Sequence, residues 1–343
     1  MAWRVDASEF ILVQNPPCIP TLAVCLIMSV FNGSKLVIDW HNYGYSILAL
    51  SLNKNHLLVK IAKRYEEIFG QLSSGNLCVT NAMKNDLKKR WHICAEVMHD
   101  RPSARFKQLT NEEKHQLITK LMKTHTEFSA VSESDEQQTR FTVVNSDDSV
   151  SFKHDRPALI ISSTSWTDDE DFSVLLHALQ MYEDYVCGEN GDLPDLLCAI
   201  TGKGPNKSYY QKIIASKNWK HVQVITPWLE AEDYPKLLAC VDLGVSIKKK
   251  KKGLDLPMKV VDMFGCCLPV AAINFSCLNE LVQEGVNGFV FEDSLELCEQ
   301  FQQAFADFPH NQDLLNKFRS NIKQFRERTW NNAWDEIVLP LFK

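Results

Sequence analysis

Apolar positions along the chain follow two alternating rhythms. Unbroken apolar runs read as strands buried on both faces of a parallel sheet. They are Phe10–Val13, Lys35–Asp39, Asn76–Thr80 and a weak Glu96–Met98, then Ala158–Ser162, Leu196–Thr201, His221–Thr226, Val241–Ile247 and Pro269–Ile273. Between them lie segments with helical spacing. His56–Phe69 sets Leu57, Ile61, Tyr65 and Ile68 on one face, Asn81 is placed to cap Ala82–Arg90, and Phe106–Met122 carries Thr110 and Glu113 at capping-box spacing. Further helices are expected over Phe172–Tyr185, Ala231–Cys240, from Pro257 onward, near Cys277–Gln283, and over Ser294–Phe308 and Asp313–Arg328. Gly285–Asp293 holds an Asn-Gly turn and a short strand. Strands alternating with helices predict two doubly wound α/β units.

Two segments depart from that rhythm. Cys18–Phe31 is the longest apolar run, broken by Pro20, Thr21 and Ser29 and too short to span a bilayer. It is expected to be a buried crossover helix, with contact to a membrane surface as the alternative. Thr124–His154 is polar and weakly periodic, and reads as a partly disordered linker. The domain expectation is therefore 1–105, a helical insertion and linker 106–156, and 157–343.

Composition narrows the function classes. The 343 residues hold enough apolar side chains for two cores, and the net charge of −6 argues against a general nucleic-acid binder. Eleven cysteines without a CxxC pair fit reduced thiols better than a disulfide framework or a zinc site. Met1–Phe10 carries Arg4, Asp6 and Glu9 and no apolar core of the kind a secretory signal needs.

Chemistry concentrates where strands end, because open α/β sheets place ligands at their carboxyl edge. In the second unit three such loops are expected to offer donors to phosphate or sugar. Ser162–Thr167 supplies Ser163 and Ser165, Gly202–Pro205 supplies Gly202, Lys203 and Gly204, and Lys248–Pro257 supplies Asp255. The glycines would let backbone approach a ligand, although a lone GxG is more often a plain turn. The helix opening at Pro257 presents unpartnered N–H groups and a positive dipole end. Lys259 lies in its first turn and Asp262 one turn further on the same face, suited to a diphosphate and to sugar hydroxyls respectively. A plain surface ion pair is the bland alternative. Trp228 follows another strand and reads either as a base-stacking platform or as core. In the first unit Asp39 and His41 form a titratable pair at a strand end, readable as base and partner or as a hydrogen-bonded structural histidine. The acidic run Asp168–Asp171 reads as a helix-start charge cluster, not a metal site.

Six stretches, VIDWHNYGYS from Val37, VTNAM from Val79, SSTSWTDDEDF from Ser162, ITGKGP from Ile200, TPWLEAEDYP from Thr226 and GLDLPMKVVDMFGCCLPV from Gly253, resemble the chitobiosyldiphosphodolichol β-mannosyltransferase family in that order. The resemblance runs from about Phe10 to the C-terminus. It implies a GT-B fold of two Rossmann-like domains facing a cleft. It also implies inverting transfer of mannose from GDP-mannose to GlcNAc2-diphosphodolichol, without a metal or other cofactor. The expected place is the cytosolic face of the endoplasmic reticulum membrane, with that membrane and other early N-glycan glycosyltransferases as partners and no nucleic acid. GDP-mannose would lie on Ser163, Ser165, Gly202, Lys203, Gly204, Trp228, Asp255, Lys259 and Asp262, with His41 or Asp39 as base. Two departures bear on activity. The resemblance begins partway into the first domain, which implies an incomplete N-terminal sheet with an exposed edge. Lys248–Lys252 stand where the family keeps a His/Ser/Thr-rich loop. A non-catalytic homologue that binds GDP-mannose or a partner is the alternative these departures leave open.

Overall fold

The computed structural model describes residues 7–130, 137–168, 170–188, 191–248 and 253–343. The expectation placed on the lysine run falls mostly outside them, since Lys249–Lys252 are not described. Lys248 is, and forms an isolated antiparallel bridge with Glu170. The chain divides into two compact units. The first comprises Met1–Asp100, Lys252–Leu256 and Arg328–Lys343, and the second Arg101–Lys251 and Pro257–Glu327. The expected boundaries differ from these: residues 101–156 belong to the second unit, and 252–256 and the C-terminal segment 328–343 belong to the first.

The first unit is a four-stranded parallel sheet in the order β1 (Phe10–Asn15), β2 (Lys35–Trp40), β3 (Gly75–Cys78), β4 (Glu96–Val97). Strand β2 pairs on both sides, setting Asp39 beside Gln14 of β1 and Leu77 of β3. One face of the sheet puts Leu36, Ile38 and Trp40 into a core completed by Leu22, Met83, Leu87 and Trp91. The other face packs Val37 and Leu77 against Val338, with Trp334, Ile337 and Phe342 around it. This second face explains the C-terminal segment: without it Val37 and Leu77 would meet water.

Four helices connect these strands: α1 (Thr21–Asn32), α2 (Gly44–Ser51), α3 (Leu57–Gln71) and α4 (Asn81–Trp91). Helix α1 is not the buried crossover expected. It buries only Leu22 and Ser29, while Val24, Ile27, Val30 and Phe31 are exposed. The apolar run hid this, because a sequence apolar on all sides carries no mark of which face packs. The cap of α4 is Thr80, whose hydroxyl accepts from Met83 N at 3.0 Å, rather than Asn81. No helix among the described residues is long and apolar enough to cross a membrane.

The second unit opens with α5 (Asn111–Met122), which carries the expected reciprocal Thr110–Glu113 box. The polar stretch after it is ordered where described. Hairpin β5 (Thr142–Val144) and β6 (Val150–Phe152) pairs antiparallel, and Thr139 and Thr142 share buried hydrogen bonds that continue to His115 Nδ1 at 2.8 Å. Phe128 and Phe141 supply its apolar anchor. The main sheet follows: six parallel strands in the order β12 (Gly288–Phe291), β11 (Val270–Ile273), β10 (Leu243–Ser246), β7 (Ala158–Ser163), β8 (Leu196–Thr201), β9 (Val222–Ile225). The connecting helices are α6 (Phe172–Val186), α7 (Lys207–Ala215), α8 (Asp233–Cys240), α9 (Met258–Gly265), α10 (Ser294–Phe305) and α11 (Asp313–Glu327). Near Cys277–Gln283 only the short turn Leu278–Glu280 forms. Strands β7 and β8 are buried at every position, as unbroken apolar runs require.

Candidate functional site

At the carboxyl edge of the second unit's sheet, β7 ends in the hydroxyl-rich loop and runs toward α6. Glu170, between them, is buried with 5% of its surface exposed. Its carboxylate accepts from the Thr164 hydroxyl, from Ser165 N at 2.8 Å and from Lys259 Nζ at 3.0 Å. Lys259 also donates to Ser165 Oγ at 3.3 Å. The structure therefore brings Ser165 and Lys259 together, around an acid read from sequence only as part of a helix-start charge cluster. A glutamate in an acidic run looks solvated in sequence. Its burial becomes visible only once α9 delivers a cation to it.

Helix α9 starts after Pro257, whose backbone is extended and provides no side-chain cap. Lys259 lies in the first turn. Asp262 sits half-buried one turn on and makes no hydrogen bond or ion pair among the described residues. Burial pushes its carboxyl up to about 6, and Arg105 partly offsets this. Its neighbour Tyr234 donates its hydroxyl to Ser163 Oγ at 3.0 Å. Ser163 is itself buried.

The Gly202–Pro205 loop presses against the hydroxyl loop. A Cβ on Gly202 (φ +116°) would lie 1.9 Å from Thr164 O, and one on Gly204 would lie 1.8 Å from Ser165 O. The close approach these glycines permit is thus to the neighbouring backbone, rather than the approach to a ligand that had been expected. Between them Lys203 places Nζ 3.8 Å from the centre of the Trp228 ring. Trp228 is 57% exposed, which removes the core reading and leaves a cation-faced aromatic surface.

Asp255 belongs to the first unit and the residues of this group to the second. Residues 252–256 belong to the first unit, where Leu254 packs on the core and its carbonyl accepts from the Thr80 hydroxyl. Asp255 instead stands near His41 together with Asp100. The sequence placed it with Lys259 because only three residues separate them. The chain changes units within that interval.

His41 and Asp39 are joined by a 2.9 Å contact between Nε2 and Oδ2. The Asp39 hydrogen bond, opposed by partial burial and aided by the charges of Asp39, Asp100 and Asp255, holds the imidazole above its ordinary 6.5. The loop carrying His41 is fixed by a second unforeseen acid, Glu66. This buried carboxylate accepts from Asn15 Nδ2 at 2.7 Å, Gly44 N at 2.8 Å and Tyr45 N at 3.0 Å. Three His, Cys, Asp or Glu side chains do not gather as a metal site among the described residues.

The model for the glycosyl transferases group 1 family matches residues 144–325. The chain is 50% identical over 345 residues to the human chitobiosyldiphosphodolichol β-mannosyltransferase, covering 99% of this chain and 74% of that one. It is 42% identical to the Dictyostelium discoideum protein of the same name (97% and 72%) and 41% identical to the Arabidopsis thaliana UDP-glycosyltransferase TURAN (98% and 77%). Among solved structures it resembles Anabaena HepE in complex with UDP, with TM-score 0.66, 14% identity and coverage of 98% and 79%. This last likeness speaks for the fold, which is GT-B.

A raised carboxyl pKa makes Asp262 a source of pH dependence. The folded state binds a proton more tightly than the unfolded chain, so stability falls as pH rises from about 4 to about 6. Asp262→Asn is expected to flatten that fall and to raise the melting temperature at neutral pH. Calorimetric melts of both proteins across this range check it, and an unchanged slope would clear Asp262 of the effect.

Proposed function

The chain belongs to the chitobiosyldiphosphodolichol β-mannosyltransferase family, and from that premise we propose that it moves mannose from GDP-mannose, in β-1,4 linkage and with inversion, onto GlcNAc2-diphosphodolichol. The observation that carries the donor assignment is Lys259, held in the first turn of α9 against Ser165 and Glu170. When the sugar C1–oxygen bond breaks, charge grows on the departing diphosphate. A fixed ammonium beside a helix N-terminus stabilises that charge without reorganising. An ammonium has three N–H donors, so Lys259 keeps Glu170 while exchanging Ser165 for a phosphate oxygen. Asp262 accepts from sugar hydroxyls, and the Trp228 face takes the guanine ring.

Inversion requires a base for the acceptor hydroxyl, and we assign it to His41. With Nε2–H donated to Asp39, Nδ1 carries the lone pair. The acceptor oxygen attacks C1, its proton passes to Nδ1, and GDP leaves with the bonding electrons. Asp39 orients the ring and raises its basicity.

The reaction belongs to early N-glycan assembly at the cytosolic face of the endoplasmic reticulum membrane, beside other glycosyltransferases of that pathway. The exposed Val24, Ile27, Val30 and Phe31 of α1 and Leu57, Leu58 and Ile61 of α3, with Lys54, Lys60, Lys63 and Arg64 exposed nearby, suit contact with an anionic lipid surface. Flotation with phosphatidylserine-containing vesicles is expected to retain the protein and to lose it with Val30→Asp plus Phe31→Asp. Equal flotation of both proteins would remove this contact.

Transfer from GDP-mannose to lipid-linked chitobiose tests the activity. Lys259→Ala is expected to weaken GDP-mannose binding more than about tenfold, since a charged hydrogen bond is worth about 1.5–3 kcal/mol. Donor binding without transfer would leave a binding module, and unchanged affinity would take Lys259 out of the site. The pH profile of kcat is expected to rise through a midpoint above 6.5, because His41 must be neutral to act. Asp39→Asn is expected to shift that midpoint downward and lower kcat. A wild-type profile in His41→Gln would contradict the assignment.

A further inference from the structure

The loops discussed above leave the carboxyl edge of the second sheet. At its opposite, amino edge the chain gathers a different set of charges. Arg156 lies two residues before β7, Asp242 one before β10, and Leu268 two before β11. These flank a cavity of about 180 Å³. Its charged lining is Lys114, Arg156, Arg319 and Asp242: three cations and one carboxylate.

The carboxylate is already committed. Arg156 clasps Asp242 with Nη1 at 2.7 Å and Nη2 at 2.8 Å, and Leu159 N adds a bond of 2.9 Å. Arg319 stands 3.7 Å from the same carboxylate and spends Nη1 on Gln312 and Asn316. Lys114 has no carboxylate partner among the described residues, only the face of Phe152 at 5.1 Å. Arg156 is 3% exposed and its Nε has no partner. A buried donor without a partner is costly, and the two part-exposed cations beside it, Lys114 and Arg319, leave the cavity with more positive than negative charge.

We propose that this cavity is a binding site for a small oxyanion of the phosphate class, separate from the donor site and at the other end of the same sheet. Guanidinium and ammonium groups converging on a small polar cavity suit such an anion. The cavity is smaller than the ~300–1,000 Å³ of a drug-sized pocket, which favours a single phosphate group over a nucleotide. Burial together with the neighbouring arginines holds Lys114 below its ordinary value, and burial acts on Arg319 in the same direction, as expected for cations short of countercharge. Binding would stabilise the folded chain by mass action.

Titration calorimetry of the full chain with inorganic phosphate, at ionic strength held constant with chloride, tests this. The expected result is saturable binding at one site per chain, kept in Lys259→Ala and weakened about tenfold or more in Lys114→Gln and in Arg319→Gln, the loss of one charged contact each. These two side chains are part-exposed and their removal relieves like charge, so both variants are expected to fold. Melting in chloride, where they should match the parent, checks that. Four results would overturn the proposal: no saturable binding by the parent chain, equal binding by the two variants, binding lost in Lys259→Ala, or a phosphate-induced rise in melting temperature shared equally by all proteins. The last is the general effect of an excluded salt.

Discussion

The pairing of buried Glu170 with Lys259 sets the carboxyl edge of the second sheet. A carboxylate out of water must be compensated, and Glu170 is compensated from three directions: the Thr164 hydroxyl, the Ser165 amide and the Lys259 ammonium. One side chain thereby ties the exit of β7 to the first turn of α9. Behind it the Gly202 and Gly204 backbone presses on Thr164 and Ser165, so the hydroxyl loop has little room to shift. Preorganisation of this kind is what a departing diphosphate requires, because donors already in place need not be turned as charge develops.

The second sheet distributes its charges between its two edges. The carboxyl edge carries a lysine already matched to an acid, beside a half-buried Asp262 that makes no hydrogen bond or ion pair among the described residues. The amino edge carries three cations around one carboxylate that Arg156 already occupies. The first unit uses acids differently: Glu66 holds a loop through backbone amides, while Asp39, Asp100 and Asp255 hold His41 basic. At the carboxyl edge and in the first unit, a buried or half-buried carboxylate holds a cationic side chain or its loop in place.

Much of the fold was legible because parallel strands buried on both faces leave unbroken apolar runs. Leu196–Thr201 was bounded from sequence as it stands in the structure, and the Thr110–Glu113 box was visible because it is local. What stayed hidden depends on distant partners. Glu170 read as one member of a helix-start charge cluster because its partner Lys259 lies 89 positions away. Asp255 looked like a neighbour of Lys259, since nothing local marks where the chain passes between units. The hairpin at 142–152 was read as linker because a buried threonine network, rather than apolar alternation, holds it. Helix α1 looked buried because composition does not say which face packs. Of the candidate site, residue types at strand ends were readable and so was Asp39 beside His41, but the buried acids Glu170 and Glu66 were not.

Positioning and simple charge make opposite forecasts for Glu170→Gln. Removing a negative group beside a diphosphate should tighten GDP-mannose binding if charge alone matters. If Glu170 acts by holding Lys259 and the hydroxyl loop, the neutral amide releases both and binding weakens. Calorimetric titration of the folded Glu170→Gln protein with GDP-mannose decides between them. A clear loss of affinity is expected, and unchanged or tighter binding would contradict the role given to the Glu170–Lys259 pair.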